Sequence, residues 1–423
     1  MFASISLLEL IIILVLIFII LNLNNWQNYK MLKLYSEWLF SRLFVYFPRD
    51  SKLVVFSSEQ GKKMGGNPYF LFLKVRALYP KYRLVWVMKS VEEVSRLNAL
   101  GIESYRGKSL KGMWLQMRAK LIIHSHSIVD DFIKSFVSGA ISINTWHGVG
   151  LKKVWGANSK TFTYRIMHGK SKFKRALKLP LVYMNRTKRS YMISTSERVS
   201  KYYPETFLVE PSEVFALGQA RNDVFFESVQ EEESLPELFK SEKIILYMPT
   251  HRQNGNVGIS LSKWLDLSKI DALCEEFGYK FIIKLHPFNP PQEVKSYKNI
   301  LDYTKTPLDT QILLKYTDIL VTDYSSCYTD FLLLDRPVLF FAYDLYQYLA
   351  QDRNMYFDFF EVTPGIISKS KSEFIDSLHL TLEGVDEFEA ERKRVLDIFY
   401  SQENQGLTAE KQVKFIFEKF MKE

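Results

Sequence analysis

The sequence predicts an α/β protein with parallel sheets in two halves, behind an N-terminal membrane-anchor helix. Three observations predict it. Strand-like and helix-like segments alternate from Lys52 onward, which argues for parallel sheets covered by helices on both faces. The alternation starts again after Pro211, and the charged stretch 227–243 stands between the two runs. Ahead of both, residues 5–23 read ISLLELIIILVLIFIILNL, with Glu9 as the only charge, long enough to cross a bilayer core.

The apolar run has no basic flank before it and no small-residue cleavage site, so residues 1–25 are expected to be an anchor rather than a cleaved signal. A buried hairpin-like helix or an uncleaved signal is the competing reading. Lys30, Lys33, Arg42 and Arg49 follow the run, and the positive-inside rule then puts the rest of the chain on the cytoplasmic face of the cell membrane. Residues 26–50 mix Trp26, Tyr29, Trp38 and Tyr46 with basic side chains, as an amphipathic segment at the headgroup level does. A core helix of the first domain would read similarly. Residues 51–226 are the expected first α/β domain, with strands in KLVVFSS, YRLVWVM, AKLIIHSH and AISINTWHG. Further strands are expected in VFALG, KIILYMPT, KFIIKLHP, DILVTDYSS and PVLFFAYD, with 227–382 as the second domain. Residues 383–423 read as one or two amphipathic helices.

The chain of 423 residues carries a net charge of +9 and 15% aromatics, which points to an anionic partner. Residues 160–189 hold ten basic side chains and no acid, interleaved with Phe162, Tyr164, Phe173 and Tyr183. An anionic membrane surface or a polyanionic acceptor accounts for this better than a solvated face, which would mix signs. No nucleic-acid motif accompanies it, so nucleic acid is not the expected partner. Cys274 and Cys327 lack metal-ligand spacing and imply neither a disulfide framework nor a zinc site.

Ligands of open α/β sheets bind beyond the carboxyl ends of strands. The polar groups found there are Trp146-His147-Gly148, Thr250-His251-Arg252, Lys284-Leu285-His286-Pro287 and Thr322-Asp323-Tyr324-Ser325-Ser326. The last stretch follows the apolar run Ile319, Leu320, Val321 and precedes a helical pattern that Asp335-Arg336-Pro337 should end. Two serines at a strand-to-helix turn suit a phosphate, since a helix N-terminus offers free N–H groups. A serine acting only as an N-cap is the plainer alternative. His124 and His126 also end a strand-like run but lack such a motif, and are expected to matter less.

Four segments, in order, resemble the CDP-glycerol glycerophosphotransferase family. They are NTWHGVGLKKVWG (144–156); GQARND (218–223); YMPTHR (247–252) with IKLHP (283–287); and DILVTDYSSCYTDFLLLDRPVLFFAYDLYQY (318–348). RNMYFDF (353–359) and TPG (363–365) fit as well. The resemblance implies two Rossmann-like domains facing a cleft, the GT-B-type architecture, with His147 and His286 as catalytic histidines. One would be the base that activates an acceptor hydroxyl, and the other would bind the pyrophosphate; the residues leave open which is which. Gly148, Arg221, Thr250, Arg252, Lys284, Thr322, Asp323, Ser325 and Ser326 would bind the donor phosphates. The implied donor is CDP-glycerol and the acceptor a lipid-linked or polyol-phosphate chain. No acidic pair with metal spacing and no DxD motif is present, so neither a metal nor another cofactor is expected. The alternatives are CDP-ribitol as donor, a nucleotide-sugar glycosyltransferase, and a non-enzymatic membrane scaffold that binds polyanions.

Overall fold

The computed structural model of the chain describes residues 26–229, 232–233, 235–250, 261–285, 292–346, 348 and 355–422. Two parallel sheets organise it. The first holds β1 (Asp50–Phe56), β2 (Arg83–Met88), β3 (Ser104–Arg106), β4 (Ala119–His124), β5 (Ile141–Asn144), β6 (Arg189–Ser194) and β7 (Val214–Ala216), in the order β3-β2-β1-β4-β5-β6-β7. The second holds β8 (Lys243–Tyr247), β9 (Tyr279–Ile283), β10 (Ile300–Asp302), β11 (Ile319–Thr322), β12 (Val338–Phe341) and β13 (Ile366–Ser368), in the order β10-β9-β8-β11-β12-β13. The strands that read as unbroken apolar runs are buried on both faces: Leu53 to Phe56, Ile319 to Thr322 and Val338 to Phe341. β3, β6, β10 and β13 are strands the sequence reading did not anticipate. β3, β10 and β13 have three residues each, too few to show a period, and β6 (RSYMIS) is largely polar.

Each strand order reverses once, between β1 and β4 in the first sheet and between β8 and β11 in the second. Those reversal points open crevices at the carboxyl ends, where ligands of such sheets bind. The segments singled out in the sequence therefore sit at the switch points or one strand away.

The helix Trp26–Phe44 runs into the first domain. Phe44 meets Phe136 edge-on at 5.0 Å, and Arg49 donates to the carbonyls of Phe44, Phe136 and Gln116. Phe40, Leu43 and Tyr46 remain exposed. Among the described residues no helix is long and apolar enough to cross a membrane. The anchor expected over 1–25 lies outside the described residues. At the other end, two helices, Glu389–Phe399 and Ala409–Phe420, bring the tail back to the first domain. Phe417 stacks on Tyr79 at 4.2 Å, and Tyr82 donates to the Met421 carbonyl. The last helix is capped from a distance: Asp223 accepts hydrogen bonds from the Thr408 and Ala409 backbone N–H groups.

Candidate active site

In the second domain, β8 and β11 end side by side. Asp323 accepts from the N–H groups of Thr250 (2.8 Å) and Tyr324, and the Thr322 hydroxyl donates to the Met248 carbonyl at 2.8 Å. Both side chains are buried. Thr322 and Asp323, expected among the donor-binding residues, instead fasten the two strand ends together and do not line the cleft. Thr322, Asp323 and Tyr324 are all buried, and Ser325 and Ser326, next along the turn, are the ones that reach the cleft wall. The helix that follows, Cys327–Phe331, has only five residues before a 3₁₀ turn at Leu332–Leu334. Its macrodipole is correspondingly small, and the hydroxyls and turn N–H groups are what the site offers an anion. Ser326 stands at the N-cap position, yet its side chain makes no cap bond. Burial pushes the neighbouring Cys327 thiol up to about 11, which makes it a poor nucleophile.

In the first domain, β4 and β5 run in register, His124 beside Asn144. Past β5 the chain turns through Trp146 at φ +53°, a left-handed conformation uncommon for a bulky residue. The Asn144 side chain accepts from the Trp146 N–H at 2.8 Å, and the Trp146 ring packs on Trp155 and Phe207. This turn delivers His147 to the cleft. Its Nδ1 lies 2.9 Å from the Ser125 carbonyl oxygen. A carbonyl only accepts, so Nδ1 carries the hydrogen and Nε2 keeps the lone pair. The imidazole is open to cleft water but walled in on its other sides. That enclosure, with His126 next to it, lowers its pKa from the ordinary histidine value to about 4, so the ring is a neutral base at pH 7. His126 is stacked on it with ring centroids 4.3 Å apart and planes 13° from parallel.

Arg221 joins the two halves. One guanidinium nitrogen donates to the His147 carbonyl at 3.0 Å, and another pairs with Asp330 at 2.5 Å, in the helix that starts after Ser326. Asp330 is buried and also accepts from Asn222, Gln311 and Tyr400. Arg221, read from the sequence as a cation for phosphate, is thus spent on holding the His147 loop against the serine turn. Gly148 follows His147 at φ +156°. A Cβ added there would lie 3.4 Å from the Ser326 hydroxyl and 3.6 Å from Arg221, ordinary contact distances, so the backbone conformation rather than lack of space is what favours glycine.

Between the domains lies a cleft of about 650 Å³. Of the residues singled out beforehand, His147, Gly148, Thr250, Lys284, Ser325 and Ser326 line it. Lys284 is half-buried in its wall, donating to the carbonyls of Tyr303 and Thr306; burial, and then Lys63, lowers its pKa. His286 and Arg252 lie outside the described residues. The sequence reading missed Glu59 and Lys63, which line the cleft from the loop after β1, at that sheet's switch point. His126, expected from the sequence to matter less, does not line the cleft but lies stacked on His147. The signal for both was the shared edge of β1, β4 and β5, which only strand order reveals.

Residues 39–418 match the family model of CDP-Glycerol:Poly(glycerophosphate) glycerophosphotransferase. The teichoic acid poly(glycerol phosphate) polymerase of Bacillus spizizenii is 28% identical over 367 residues, covering 83% of this chain and 88% of that protein. The teichoic acid poly(ribitol-phosphate) polymerase of the same organism is 26% identical over 351 residues, 79% of this chain; the chain spans 52% of that relative's length. The solved structure of the wall teichoic acid polymerase TagF shares the fold, with a TM-score of 0.71 at 22% identity, covering 93% of this chain and 95% of that one. A match that runs from the end of the first helix to the last one takes in both sheets and the cleft between them, and the chain belongs to the CDP-glycerol:poly(glycerophosphate) glycerophosphotransferase family.

Proposed function

We propose that the chain transfers glycerol phosphate from CDP-glycerol to a hydroxyl of a lipid-linked or polymeric polyol-phosphate acceptor, with release of CMP. The observation that carries this reading is the meeting of a neutral His147 with Ser325 and Ser326 in one cleft between two parallel-sheet domains, as in a GT-B-type enzyme. The acceptor oxygen attacks the β-phosphorus and gives its proton to His147 Nε2. The bond from that phosphorus to the bridging oxygen breaks, and CMP leaves with the electron pair. Ser325 and Ser326 donate to the phosphate oxygens, and Lys284 and Lys63 add positive potential from opposite walls. His286 is the second catalytic histidine in this reading, with Arg252 among the donor-binding residues. Ribitol phosphate is the second reading for the transferred group, favoured by the ribitol-phosphate relative. Turnover and thermal-shift measurements with CDP-glycerol, CDP-ribitol and UDP-sugars decide it. Stabilisation and CMP release with CDP-glycerol are expected; activity with a UDP-sugar alone refutes the reading.

The same reading places the protein at the cytoplasmic face of the cell membrane, anchored by residues 1–25. Supporting it, the helix Trp26–Phe44 packs beside the basic helix Lys172–Val182. Phe40, Leu43, Tyr46 and Phe173 are exposed, as are Lys170, Lys172 and Lys188, and Lys188 sits over the Tyr46 ring. Arg186, by contrast, is paired with Glu213, so not every basic residue of the stretch is available to lipid. A variant lacking residues 1–25 is expected to sediment with anionic vesicles at low salt and not with neutral ones. A variant that stays in the supernatant with both refutes the surface role.

A further inference from the structure

We infer that His126 is a positioning residue for His147, holding its imidazole in one plane and keeping it in the proton-accepting form. This rests on the reading of His147 as the base. β4 and β5 are parallel neighbours, and the loops beyond them lay His126 flat on His147 at 4.3 Å. Ser125 serves both rings: its carbonyl oxygen takes the His147 Nδ1 hydrogen, and its hydroxyl lies 3.0 Å from His126 Nδ1. The His126 loop is itself fastened. Its N–H donates to Asp131 at 3.0 Å, and its carbonyl accepts from Asn144 at 3.0 Å. The His147 ring is thus gripped by a carbonyl on its edge, by Trp146 at 4.0 Å, and by His126 on its face.

The stack also sets protonation. Two imidazolium rings at this spacing repel, so a proton on one disfavours a proton on the other. Asp131 favours a proton on either ring; Asp130 adds to that at His126, where His124 and Lys62 oppose it, whereas Arg221 opposes a proton on His147. Acidic solution therefore charges His126 first, and the charged ring keeps His147 neutral to lower pH. At neutral pH both rings are uncharged, because burial lowers His126 as well, and His147 is free to take the acceptor proton.

The test uses the full chain with His126→Phe, His126→Ala and His147→Ala, each checked by circular dichroism. His126→Phe keeps a flat ring and removes the titrating group. It should retain kcat at neutral pH, while the acid limb of kcat/KM moves to higher pH. His126→Ala should lower kcat about tenfold or more and leave the CDP-glycerol KM nearly unchanged. The His147 ring titration, followed by NMR on histidine-labelled protein, should move up in His126→Phe without any substrate present. The inference is overturned if both His126 variants show wild-type kcat, acid limb and His147 titration. A His147→Ala protein that keeps its turnover overturns the base reading instead.

Discussion

Arg221→Met tests whether Arg221 is a clamp or a phosphate ligand. The methionine keeps the apolar stem and removes the guanidinium. Two hydrogen bonds are lost, one to the His147 carbonyl at 3.0 Å and one to Asp330. Hydrogen bonds to charged groups contribute about 1.5–3 kcal/mol each. Asp330 keeps Asn222, Gln311 and Tyr400 as donors, so its charge is not left bare. The expected loss is therefore about 3 kcal/mol, at the lower edge of the 3–5 kcal/mol for breaking a fully buried pair. Urea unfolding measures it, and a double-mutant cycle with Asp330→Asn should give a coupling of about 1.5 kcal/mol or more, since the two residues touch. Turnover should fall about tenfold or more, because the His147 loop loses its tie to the serine turn. The reasoning is refuted if stability and kcat stay at wild type while the CDP-glycerol KM rises. That pattern would make Arg221 the phosphate ligand its charge first suggested.

Replacing Ser325 and Ser326 together by alanine should raise the donor KM and cost less than about 1 kcal/mol of stability, the usual value of a cap; an equal loss of both would return the serines to a capping role. For His147 the folded pKa lies below the ordinary value of about 6.5, so kcat/KM should stay flat down through that pH and fall only on the way towards about 4; an inflection at the ordinary value would show that the cleft does not perturb the ring. The same depression means that the unfolded chain binds the extra proton, so stability is also lost as pH falls through this window. Asp223→Ala should fray the helix Ala409–Phe420 at a cost of about 1–2 kcal/mol, read as faster amide exchange confined to that helix and the Tyr79 surface beneath it.

The second domain's turn was the most legible part of the chain. Its apolar run, its two serines and its change of period are all local, and the structure puts the serines on the cleft. What the sequence does not carry is the facing of each residue within a turn. Thr322 and Asp323 looked like ligands because they are polar and at a strand end, yet they point to neighbouring backbone. Long-range pairing is equally silent. Arg221 meets Asp330 across 109 positions, and no local pattern marks the two as partners. The stacking of His126 on His147 was hidden for a related reason: it follows from β4 lying beside β5, and strand order is a property of the sheet. The region of 160–189 was legible in charge but not in use, since Arg186 turns inward to Glu213 while Lys170 and Lys172 stay exposed.

His147 comes from one sheet and the serine turn from the other, so the proposed site depends on the two domains holding one register. An apolar interface could slide by a side chain's width at little cost. A buried acceptor with four named donors cannot, because each shift leaves a donor or a charge unmet. Asp330 is that acceptor, and it lies one short turn beyond Ser326. A second tie, the antiparallel bridge between Lys152 and Met355, joins the loop after Gly148 to the second domain, and the Tyr356 N–H donates to the Leu151 carbonyl at 2.9 Å beside it. The polar joints therefore flank the His147 loop on both sides, and they set the distance between His147 and the serine turn. Phosphoryl transfer gains most from such fixed placement, since little covalent chemistry is left for the protein to perform.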